Sequence, residues 1–97
     1  MDCKLKERYD LYIGGKWVPA SDGGVFTTTN PATGQVLAQC AEATKADVDA
    51  AVSAAWAAYP AWKSVSPSQR SDILMKIADR IDANAQLLAL VESMDNG

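Results

Sequence analysis

Apolar residues along the chain follow two different periods. The first forty or so residues carry short apolar and β-branched runs broken by turn residues, and the rest repeats at helical spacing. Leu11-Tyr12-Ile13, then Gly14-Gly15, then Lys16-Trp17-Val18 reads as a hairpin with a two-residue turn. Ser21-Asp22-Gly23-Gly24 is turn chemistry, Val25 to Thr29 (VFTTT) a strand, and Asn30-Pro31-Ala32-Thr33-Gly34 a tight turn. Gln35 to Glu42 is the next strand.

After Glu42 the period changes. Thr44 with Asp47 three residues on predicts a capping box. Val48, Ala51, Val52 and Ala55 then fall on one helical face, and Pro60 is expected to end that helix. Ser66-Pro67 with Gln69 opens a second helix with the same kind of box. Leu74, Ile77, Ala78 and Ile81 make its apolar stripe. Asn84 is placed to cap a third helix striped by Leu87, Leu90, Val91 and Met94, with Asp95-Asn96-Gly97 suited to close it. The expected class is α+β: a small antiparallel sheet of three or four strands, about 9–43, followed by three helices, about 45–97. Residues 1–8 show no pattern and are expected to be a flexible tail.

Composition narrows the functions. At 97 residues the chain is at most one small domain. A net charge of −3 argues against nucleic acid, and the one basic cluster, Lys4, Lys6 and Arg8, reads as a solvated terminus. No apolar run is long enough to span a bilayer and no leader is visible, so a cytoplasmic protein is expected. The chain has no histidine, hence neither the commonest general base nor the commonest metal ligand. Its two cysteines, Cys3 and Cys40, have no C-x-x-C spacing. Cys40 reads as a small strand residue, since no basic neighbour in sequence would activate it. Gly14-Gly15-Lys16 lacks the upstream glycine and following Ser or Thr of a phosphate loop. Trp56 and Trp62 read as buried or partner-facing anchors in preference to ligand stackers. The alternating charges Asp72, Lys76, Asp79, Arg80 and Asp82 read as a solvated helix face.

The ordered pieces Ile13-Gly14-Gly15-Lys16-Trp17, Asn30-Pro31-Ala32-Thr33-Gly34, Asp47-Val48-Asp49 with Ala51-Val52, Arg70 and Asp95-Asn96-Gly97 closely resemble the N-terminal part of the aldehyde dehydrogenase superfamily. The resemblance runs from about Tyr9 to Gly97 and leans toward bacterial enzymes acting on acetaldehyde and similar short aldehydes. It implies that residues 9–97 are an incomplete N-terminal part of an α/β cofactor-binding domain. It implies a parent that oxidises an aldehyde to a carboxylic acid with NAD or NADP through a cysteine thiohemiacetal, as a homodimer or homotetramer. It carries no catalytic residue and no cofactor-binding residue onto this chain, because the family's cysteine, glutamate, asparagine and cofactor loop come further downstream. Cys40, Glu42 and Glu92 match none of those positions, so the chain by itself is expected to be inactive.

The resemblance also implies a structural sodium or potassium site using main-chain oxygens of Thr28 and Thr29 and the Asp95 side chain. Oxygen donors suit such a hard cation. The simpler alternative makes Asp95 a helix terminator and the threonines plain strand. The family continues past Asp-Asn-Gly with a lysine and a proline, so a piece of a longer protein is expected. Two further readings belong to other classes. One is a small binding or assembly protein docking through the apolar faces of Leu87, Leu90, Val91 and Met94. The other is a thiol enzyme using Cys40, which the absent histidine disfavours.

Overall fold

A computed structural model describes residues 5–97. Five strands precede three helices: β1 (Arg8–Tyr9), β2 (Leu11–Ile13), β3 (Lys16–Val18), β4 (Val25–Thr29), β5 (Val36–Ala41), α1 (Lys45–Ser64), α2 (Pro67–Ala83) and α3 (Ala85–Asn96). The strands form two sheets rather than one. β2 and β3 are an antiparallel hairpin, with Leu11 opposite Val18 and Ile13 opposite Lys16. Gly14 and Gly15 make its turn at φ 61° and 79°. Both angles are positive, as a primed hairpin turn requires.

The second sheet has the order β1-β5-β4. β4 and β5 run antiparallel through the Asn30 turn, where the Asn30 side chain accepts from the Ala32 N–H. β1 pairs parallel with β5, and the Gln39 N–H donates to the Glu7 carbonyl. The pattern expected a tail there. Within the described part of it, Glu7 and Arg8 are tied into the sheet, because a parallel partner far along the chain leaves no mark on local periodicity. Residues 1–4, with Cys3 and Lys4, lie outside the described residues.

α1 begins with the complete capping box at Thr44 and Asp47. It does not end at Pro60 but runs through it to Ser64. Proline removes one donor, which would have served the Trp56 carbonyl. Ala61, Trp62, Lys63 and Ser64 nevertheless carry the helix on. At α2 only half of the expected box forms: Ser66 Oγ accepts from the Gln69 N–H at 3.1 Å, without a return bond from the Gln69 side chain. Asn84 also departs from its expected part. It stands at the start of α3 but its amide donates back to the Arg80 carbonyl, closing α2 instead.

The buried apolar residues are small: Ala20, Ala38 and Ala41, all at the sheet and its flanking loop. α1 lies against the β2–β3 hairpin and α3 against β4–β5, whereas α2 touches little besides α3. A radius of gyration of 16.8 Å compares with roughly 12.5 Å for a compact chain of this length.

Candidate functional site

The candidate cation ligands stand where the Asn30 turn meets the end of α3. β4 delivers Thr28 and Thr29, and a bulge in the β4–β5 ladder falls between them, so the register passes from Thr28 opposite Ala38 to Thr29 opposite Val36. Such a bulge bends the strands as they enter the turn. The Asn30 N–H then bonds the Gln35 carbonyl at 2.8 Å, and the Gly34 N–H bonds Asn30 at 2.7 Å, fixing the turn. α3 arrives from the other side. Its last turn closes with the Gly97 N–H on the Ser93 carbonyl, and Gly97 lies so near Pro31 that an added Cβ would stand 2.8 Å from the proline ring.

This arrangement brings Thr28 and Asp95 together from 67 residues apart: Thr28 Oγ1 donates to Asp95 Oδ1 at 2.5 Å. Thr28 is half-buried and Asp95 exposed. Thr29 is exposed, next along β4. The donors offered here are a hydroxyl, one carboxylate and backbone carbonyls. Among the described residues no group of three or more His, Cys, Asp or Glu exists that could hold a metal ion. A site built from these residues therefore has one formal negative charge and oxygen donors only. That donor set fits a singly charged hard cation and does not fit a transition metal.

Cys40 is the next-to-last residue of β5, opposite Phe26 of β4 and beside Tyr9 of β1. It opens into an apolar groove of about 740 Å³ between that sheet and α3, with Leu87 and Val91 on the far wall. Among the described residues that line it, the ionisable groups besides Cys40 and Tyr9 are the carboxylates of Glu92 and Asp95, and none is basic. The geometry agrees with a strand residue, and no described residue lining the groove is the base a nucleophile needs.

Asp47 is the polar centre that sequence reasoning saw only in part. Its carboxylate accepts from the Thr44 N–H at 2.9 Å while Thr44 Oγ1 accepts from the Asp47 N–H at 3.2 Å, as a capping box requires, and the Thr44 hydroxyl adds a bond to the carboxylate at 3.0 Å. It also accepts from the Ser21 N–H at 3.1 Å, which joins the loop before β4 to the start of α1. Asp47 is buried. The backbone N–H groups of Thr44 and then of Ser21 hold its carboxyl below the usual value of 3.8, against an opposing push from burial. No period or motif flags a bond across 26 residues.

The model of the aldehyde dehydrogenase family matches residues 17–97. The chain belongs to that family. An acetaldehyde dehydrogenase of Pseudomonas aeruginosa is 50% identical over 93 residues, which are 96% of this chain and 18% of that protein. Acetaldehyde dehydrogenase 2 of Cupriavidus necator is 49% identical over 92 residues, again 18% of its length. The solved NAD⁺ complex of an aldehyde dehydrogenase from Bacillus cereus superposes with a TM-score of 0.88 at 35% identity, covering 98% of this chain and 21% of that one. The chain thus spans about a fifth of the aldehyde dehydrogenases it matches. Its small strands and three helices are an N-terminal part of the aldehyde dehydrogenase fold.

Proposed function

We propose that this chain supplies the N-terminal part of an NAD(P)-dependent aldehyde dehydrogenase, in which a cysteine elsewhere in the fold attacks the aldehyde and the carboxylic acid is the product. The observation that carries this reading is the family match over residues 17–97 together with two acetaldehyde dehydrogenases near 50% identity. A short aldehyde as substrate, a cytoplasmic setting and a homodimeric or homotetrameric whole enzyme belong to the same reading. The 97 residues contribute scaffold and no catalytic or cofactor-binding residue, so the chain alone is inactive. Cys40, in a groove walled by Leu87 and Val91 whose described lining holds no basic side chain, supports that.

Within this reading Thr28, Thr29 and Asp95 hold a sodium or potassium ion, the threonines through their main-chain oxygens and Asp95 through its carboxylate. The juxtaposition of Thr28 with Asp95 supports the assignment. The ion's part is structural. It would neutralise Asp95 and tie α3 to the end of β4, and it takes no part in the reaction.

The test is an assay of the purified chain with acetaldehyde and NAD or NADP. No cofactor reduction is expected. Turnover by the 97 residues alone would overturn the claim that the reacting groups lie outside them.

A further inference from the structure

The last turn of α3 holds two groups that can react with each other. Asn96 is exposed, and the residue after it is Gly97. The backbone nitrogen that follows an asparagine can close a five-membered ring on the side-chain amide carbon. A side chain on that next residue shields the nitrogen, whereas glycine, with no Cβ, leaves it open. The other asparagines, Asn30 and Asn84, lack this arrangement. Asn30 precedes Pro31, which has no N–H, and its side chain is engaged by the Ala32 N–H. Asn84 precedes Ala85, and its amide is held on the Arg80 carbonyl at 2.8 Å.

The fold opposes the ring closure at Asn96 without abolishing it. Asn96 is the last helical residue of α3, and the Gly97 N–H is bonded to the Ser93 carbonyl at 2.9 Å. The nitrogen is free to attack only when that turn opens, and helix ends open at low cost. The turn is kept shut by Asp95 on Thr28 and by the close approach of Gly97 to Pro31. We propose that Asn96–Gly97 is a spontaneous modification site, converted through a cyclic imide to aspartate and isoaspartate at a rate set by the opening of the last turn of α3. The Gly97 nitrogen gives its proton to solvent base and bonds to Asn96 Cγ. The Cγ–Nδ2 bond breaks, and Nδ2 takes up a proton and leaves as ammonia. Water then opens the imide at either carbonyl. Either product puts a new carboxylate beside Asp95 at the negative end of the α3 dipole, where the last turn holds no basic residue. The modification therefore loosens the end of α3 from the Asn30 turn. The reaction is independent of the enzymatic reading given under Proposed function.

The test incubates the purified chain at mildly alkaline pH, folded and in guanidinium chloride, and follows each asparagine by peptide mass spectrometry. Conversion confined to position 96 is expected, about fivefold or more slower in the folded chain. Asn96→Gln should abolish it, because the longer side chain disfavours the ring. Thr28→Val, checked for unchanged helicity by circular dichroism, should speed the folded reaction about two- to fivefold, the worth of one ordinary hydrogen bond. Asn96→Asp, which carries the added charge alone, should speed amide exchange in the last turn of α3 about two- to fivefold. An unmodified folded chain alongside a converting denatured one would overturn the proposal. Equal rates in the two states would also overturn it, and this comparison needs no variant. A Thr28→Val rate equal to the parent's would remove the gate, and unchanged exchange in Asn96→Asp would remove the loosening.

Discussion

The two ends of this molecule solve the same physical problem in opposite ways. In the strand region and the start of α1, polar groups close on one another. One carboxylate, Asp47, satisfies backbone donors from two segments, and the small residues Ala20, Ala38 and Ala41 let backbone pack on backbone. The α2–α3 arm has a side-chain N-cap at Ser66 but none at the start of α3 and no buried residue, and Leu74, Ile77 and Ile81 of α2 are at least half exposed. Helices gain most of their stability from packing an apolar face, not from propensity. The first region therefore carries its own instructions, and the second leaves apolar side chains unpacked.

The largest expected effect tests the self-contained half. Asp47→Asn should lower the thermal midpoint more than any other single change named here, because the Ser21 and Thr44 N–H groups lose a charged acceptor. A midpoint unchanged from wild type would show that the loop–helix junction is held by something else. Acid should reproduce the effect in the parent. A carboxyl held below 3.8 stabilises the fold fully above that value, and the contribution fades as pH falls through the lower folded-state value. Urea midpoints should therefore fall with pH below about 3.8 in the parent, with this component absent from the slope of Asp47→Asn.

Next in size are local devices. Gly15→Val places a β-branched residue at φ 79° and should cost about 1–2 kcal/mol by denaturant titration. Ser66→Ala removes the acceptor for the Gln69 N–H at the start of α2 and should cost about 1 kcal/mol. The contrast between the halves sharpens if the hairpin change shifts the whole transition while the cap change frays only the arm. Amide exchange along α2 against exchange along β5 would read that difference.

What the pattern foretold and what it missed follow the same division. The Gly14-Gly15 turn, the Thr44–Asp47 box, the Ser66 cap and the three helical stretches are set by residues within a few positions of each other, and each was legible. The parallel pairing of β1 with β5 and the Asp47–Ser21 bond join segments that local rules cannot relate. Pro60 misled because one lost donor did not end a helix that Ala61, Trp62, Lys63 and Ser64 carry on. Asn84 misled because it sits between two helices and its amide serves the earlier one. At the candidate site, Thr28, Thr29 and Asp95 came from family resemblance alone, since no spacing rule links residues 67 apart. The fold does bring Thr28 to Asp95.

The smallest expected effects probe where the two halves meet. Thr28→Val keeps the shape of the side chain and removes the donor to Asp95. With one partner half-buried and the other exposed, the loss should be about 0.5–1 kcal/mol, close to the net worth of one ordinary hydrogen bond. If Asp95 instead holds a cation shared with the main chain, melting in sodium or potassium chloride should separate two roles. The parent should gain stability with either salt at constant ionic strength, set against a bulky organic cation. Asp95→Asn should lose that gain, while Thr28→Val should keep most of it, because the proposed threonine ligand is the carbonyl and not the hydroxyl. Equal midpoints in all three salts for the parent would reduce the pair to a hydrogen bond that pins α3 to the sheet. The join between the two halves would then rest on direct contacts: the Thr28–Asp95 hydrogen bond, Gly97 against Pro31 and the apolar wall of Leu87 and Val91.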